Sequence, residues 1–107
     1  MAKGGKKVST SAKIEDGQYK LTGSGLKEMD QYEASVVYDP DDASTGRNTG
    51  MSAQYVLAGG SVTFQMAVTF LTGGNKASGT LEGWLRAPGS GFSGDPVGNK
   101  VTIRVND

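Results

Sequence analysis

The carboxylates are the first groups whose types and spacing could do chemistry. Glu28, Asp30, Glu33 and Glu82 could furnish the acid and base of a glycoside-cleaving centre, which needs two carboxyls at a set separation and one pKa raised by burial. Nothing in the sequence holds any two of them at that separation, and no apolar setting for one is indicated. Asp39, Asp41, Asp42 and Ser44 offer oxygens to a calcium ion, but Ala43 stands where an acid or amide ligand is wanted and no bidentate Glu follows. Asp-Pro-Asp-Asp is more simply a turn whose side chains satisfy backbone N–H groups. Gly23-Ser24-Gly25 and Gly89-Ser90-Gly91 lack both the Lys-Ser/Thr and the following helix of a phosphate loop. The chain has no His and no Cys, hence no imidazole base, no thiolate, no zinc site of ordinary ligands and no disulfide. No catalytic residue, metal or cofactor is expected, and the chain reads as a non-enzyme.

Contact chemistry remains. Thr80, Glu82, Trp84 and Arg86 fall on one face of a strand, with Leu81, Gly83 and Leu85 on the other. With the leucines toward the core, Trp84 is presented outward between an acid and a base. A flat aromatic so placed suits a sugar ring or a protein partner. The competing reading packs Trp84 under a loop, with Glu82 and Arg86 merely flanking it. Arg47, at the loop tip Arg47-Asn48-Thr49-Gly50, and Phe92, in the loop 87–98, join the candidate partner-contact residues. So do Lys3, Lys6 and Lys7, in a basic arm where Gly4-Gly5 would let the chain adapt to an acidic neighbour. A solvated end is the plainer account of that arm.

These groups must be positioned by a small core. Of 107 residues, 36% are hydrophobic and 7% aromatic, so the core is thin and built from Val, Leu, Ala and Met. Formal net charge is zero, which gives no global pull toward nucleic acid or an anionic membrane. The balance conceals polarity: residues 3–13 carry four lysines and no acid, while 15–42 carry eight acids against two lysines. Behind the basic start lies polar Val8-Ser9-Thr10-Ser11 rather than an apolar stretch, so no secretory signal is read. The expectation is a flexible arm over residues 1–7 and a single domain over 8–107.

Apolar residues alternate almost throughout. Val8–Ile14, Gln18–Thr22, Tyr32–Tyr38, Met51–Leu57, Ser61–Leu71, Gly79–Arg86 and Val101–Val105 read as seven strands. Tyr19 and Leu21 face inward, Tyr32, Ala34, Val36 and Tyr38 share a face, and Met51, Ala53, Tyr55 and Leu57 form a row. The cleanest alternation, Val62, Phe64, Met66, Val68 and Phe70, predicts one long strand. Glu15-Asp16-Gly17 and Gly59-Gly60 read as tight turns, the second as a two-residue hairpin. Leu26–Asp30 reads as a single helical turn, and 39–50 and 87–98 as long end loops. Seven short strands punctuated by Gly, Asp and Pro predict an all-β, two-sheet sandwich, with a small barrel as the alternative.

Tyr19-Lys-Leu-Thr-Gly-Ser-Gly-Leu26 followed by Tyr32-Glu-Ala-Ser-Val-Val37 resembles the front of bacterial and phage immunoglobulin-like domains. Ala58-Gly-Gly-Ser-Val-Thr-Phe64 is similar to their turn into a long strand, and Val101-Thr-Ile-Arg-Val105 to their last strand. The likeness spans roughly residues 17–105 and departs from antibody-type domains in lacking both cysteines and in placing Trp84 late. It implies a seven-stranded antiparallel immunoglobulin-like β-sandwich and no particular binding residues. A signal-less, cysteine-free domain of this type resembles bacteriophage virion components. The resemblance therefore implies a capsid decoration protein in the virion, bound in many symmetric copies to the major capsid protein or to neighbouring copies as a homo-oligomer or lattice, without nucleic acid or membrane. A carbohydrate- or cell-surface-binding module and a tail-tube or tail-fibre subunit are the alternatives.

Overall fold

The computed structural model describes residues 8–42, 44, 46–74, 78–87 and 96–105; Lys3, Lys6, Lys7 and Phe92 lie outside the described residues. Among the described residues seven strands form two antiparallel sheets: β1 (Ser9–Glu15), β2 (Gln18–Ser24), β3 (Gln31–Pro40), β4 (Asn48–Tyr55), β5 (Val62–Ala67), β6 (Gly79–Arg86) and β7 (Pro96–Val105). The sheet orders are β1-β2-β5 and β4-β3-β6-β7. The expected all-β sandwich is the fold.

Its core follows the alternation in the sequence. Tyr19 and Leu21 from β2, Phe64 and Met66 from β5, Tyr32, Ala34, Val36 and Tyr38 from β3, and Leu81 and Leu85 from β6 are buried between the sheets. Val97, Ile103 and Val105 of β7 pack against the rim of that cluster. Inward residues of facing sheets interdigitate, which is how a sandwich excludes water with few large side chains. Gly83 lets the sheets approach: a Cβ there would overlap the Tyr19 hydroxyl and lie 3.2 Å from Leu21 Cδ1.

Two asparagines close the sides of the sandwich. Asn99 of β7 donates from Nδ2 to the Thr10 carbonyl (3.0 Å), and its Oδ1 accepts from the Thr10 N–H (3.0 Å). The side-chain amide thus pairs with β1 as a strand backbone would. On the opposite side Asn48 Nδ2 donates to the carbonyls of Phe70 (3.0 Å) and Leu71 (2.9 Å). Backbone groups at both seams are thereby satisfied without continuous strand pairing.

Several local expectations need correction. The long strand expected over Ser61–Leu71 ends at Ala67, and Val68–Leu71 form a helical turn, α1. The ladder runs out there: Ala67 pairs with Gln18, the first residue of β2, and Val68 N–H reaches only the Gly17 carbonyl (3.0 Å). Without a partner the chain coils, which buries Leu71 and turns Phe70 out. Gly59 and Gly60 do adopt positive φ (104° and 74°), but β4 and β5 belong to different sheets, so their turn is a crossover and not a hairpin. Leu26–Asp30 makes no helix; Glu28 and Met29 form a turn with Met29 at φ 71°. β3 extends to Pro40 and β4 begins at Asn48, which shortens the first long loop. The turn at Asp16-Gly17 is as expected, with φ 54° and 75° between paired Glu15 and Gln18.

Candidate functional site: the outer face of the four-stranded sheet

With Leu81 and Leu85 in the core, β6 turns Thr80, Glu82, Trp84 and Arg86 to the outer face. Register fixes their neighbours. Trp84 lies opposite Ser35 of β3, Glu82 between Val37 and Thr102, and Arg86 opposite Glu33. The β6–β7 ladder slips between Gly83 and Leu85, so Trp84 has no paired residue on the β7 side. A bulge of this kind opens space at one position and re-aims the side chains around it.

That space is filled by charge. Lys100 Nζ stands 4.7 Å from the Trp84 ring centroid and the Arg86 guanidinium carbon 5.4 Å from it. Each cation over an aromatic face contributes on the order of 0.5–2 kcal/mol, more as the pair is desolvated. Trp84 retains 8% exposure and the facing Ser35 is also buried. Trp84 thus points outward, as its parity requires, but presents no bare ring. Among the described residues Trp84 Nε1 and Arg86 Nε are buried without a hydrogen-bond partner. A sugar could stack on Trp84 only if a cation moved away.

Arg47 belongs to the same face. With Val37, Asn48 and Thr49 it lines a shallow hollow of about 470 Å³ beside Glu82 in the cross-strand row. Its guanidinium is exposed and stands 4.0 Å from the Asp39 carboxylate, a loose surface pair. Four of the eight sequence candidates, Arg47, Glu82, Trp84 and Arg86, are therefore gathered on one sheet face.

The carboxylates have other employment. Asp41 receives a two-pronged contact from Arg104 of β7 (2.9 and 2.7 Å), which holds its carboxyl below the usual range and raises Arg104. Asp42 accepts from the Ser44 hydroxyl and backbone N–H, which lowers its pKa also. Glu28 accepts from the Gly59 N–H at 2.6 Å, while Glu33 and Glu82 sit on the outer face. Burial pushes the Tyr19 phenol up, and among the described residues its hydroxyl has no hydrogen-bond partner.

Sequence reading missed the most exposed apolar surface. The row Met51, Ala53, Tyr55 and Leu57 is outward: Met51 is 57% exposed, Tyr55 61% and Leu57 68%. The inward positions of β4 are Gly50 and Ser52, small because Leu71 Cδ2 would lie 2.6 Å from any Cβ at Gly50. Gly50 and Ser52, small residues flanking Met51 on the opposite parity, were the available sign. Compared with known proteins, the chain matches no family model, no curated protein and no solved structure.

Proposed function

We propose that this chain is a non-enzymatic structural protein of a bacteriophage particle, a capsid decoration component held in many symmetric copies by neighbouring virion proteins. The observation that carries the reading is the exposed apolar row of β4 on a cysteine-free sandwich whose outer sheet face, Val37 and the cation-covered Trp84 apart, is mainly polar and charged. Apolar side chains lined up on an edge strand favour contact with another protein. The likeness of the β2–β3 segment to phage immunoglobulin-like domains supplies the setting. Repetition suits a thin core, because binding to a lattice stabilises each copy by mass action. A sugar-binding role is disfavoured by the cations over Trp84.

Pelleting expanded empty capsids of the encoding phage with purified protein tests the reading. Saturable binding at a fixed number of copies per capsid is expected. Protein left wholly in the supernatant would overturn it.

A further inference from the structure

Among the described residues four strand edges bound the two sheets, and two of them carry charge. β1 carries Lys13 and Glu15 and is stapled by Asn99; β7 carries Lys100 and Arg104; β5 turns Thr63 and Gln65 outward. Charge on an edge strand is the usual guard against pairing with another chain. β4 has none. From Asn48 to Leu57 the sequence contains no Asp, Glu, Lys, Arg or Pro, and among the described residues β3 is the only strand with which β4 pairs. Its outward residues are Thr49, Met51, Ala53 and Tyr55, and Phe70 lies near its inner side, 61% exposed.

We propose that β4 pairs antiparallel with β4 of a second copy of this chain, joining two four-stranded sheets into one continuous sheet about a two-fold axis through Met51. An axis normal to the sheet preserves its faces, so outward residues meet outward residues. Met51 then lies opposite Met51 of the other copy, Ala53 opposite Thr49, and Tyr55 opposite Arg47. The charges fit a second copy. Arg47 is exposed and only loosely paired at 4.0 Å, so its guanidinium is available to the Tyr55 ring across the seam. Both ends of the seam receive that contact by symmetry. The strand between them is neutral, and a chain of zero formal net charge sets up no long-range repulsion between copies. The pairing names the surface through which copies of the proposed decoration protein cohere; it deepens that reading yet stands on self-association alone.

Sedimentation velocity of the full chain, from micromolar to millimolar concentration, tests it without any phage particle. Wild type is expected to convert to dimer. Met51→Lys places two like charges in direct opposition and is expected to weaken the dimer at least about tenfold. Met51→Glu does the same, and an equimolar mixture of the two variants is expected to recover dimer. Thr102→Lys, on the far side of the same sheet face, is expected to associate as wild type does, which separates edge pairing from face-to-face stacking. Hydrogen exchange of the wild-type amides from Met51 to Tyr55 should slow several-fold as concentration rises, a readout that needs no variant to fold. A wild-type chain that stays monomeric overturns the pairing, as does a mixture of the charge variants no more dimeric than either alone. Capsid pelleting by a monomeric wild type would leave the decoration reading standing and remove only this one; a dimer that ignores capsids would do the reverse.

Discussion

Replacing Gly83 by Ala is the sharpest test of how the sheets meet beneath Trp84. The added methyl would overlap the Tyr19 hydroxyl and press on Leu21 Cδ1 at 3.2 Å and Tyr19 Cζ at 3.3 Å. Tyr19 and Leu21 are fully buried, so neither can swing into solvent, and the core must shift. Overpacking of this kind costs about 1–3 kcal/mol. Most of that cost resides in one atom. Tyr19→Phe removes the hydroxyl, which is buried without a partner among the described residues, so its loss alone should be nearly neutral. The double variant keeps only contacts that can yield by a few tenths of an ångström. It should recover at least about 1 kcal/mol of the Gly83→Ala loss, a favourable coupling well beyond additivity. Urea unfolding followed by Trp84 fluorescence at one low protein concentration supplies all four corners of the cycle. An unchanged m-value would license the comparison. Additive effects, or a Gly83→Ala cost below about 0.5 kcal/mol, would refute the packing argument, since a clash confined to the hydroxyl must couple the two sites.

Further outcomes follow from single contacts. Asn99→Ala breaks both bonds to Thr10 and should cost about 1–3 kcal/mol, with faster hydrogen exchange at β1 as its signature. Met29→Gly relieves a bulky residue at φ 71° that is 73% exposed, so urea titration should show a gain of up to about 1 kcal/mol. Arg104→Ala should raise the Asp41 pKa in an NMR titration; because the folded carboxyl titrates low, its contribution holds above the ordinary carboxylate range, near pH ~4, and fades as pH falls through the folded value. Lys100→Ala uncovers Trp84 and should red-shift its fluorescence and increase quenching by acrylamide.

What the sequence made legible depended on where each partner lay. The inward set of β2 and β3 was plain because both strands alternate against a core on one side and solvent on the other. The outward parity of Trp84 was equally plain, but its covering was not: Lys100 reaches it across a bulge, and no pattern within β6 announces that slip. Val68 and Phe70 continue the alternation of β5 without fault, yet the strand stops because β2 begins only at Gln18. Whether a strand continues is decided by its neighbour's length, a non-local fact. Gly59-Gly60 failed as a hairpin for the same reason: the glycines set the turn, while the sheet each strand joins is set elsewhere. The Met51–Leu57 row was visible as a row, and the small Gly50 and Ser52 pointed to its outward face; what makes them small, Leu71 packed against Gly50, lies beyond β5 in the chain.

A decoration protein, as proposed for this chain, occupies repeated positions on a particle. Cryo-electron microscopy of particles purified from the encoding phage tests it most directly. Density for the seven-stranded sandwich is expected at symmetry-related positions on the capsid. Purified particles without the chain, while the same lysate holds it free, would contradict the account.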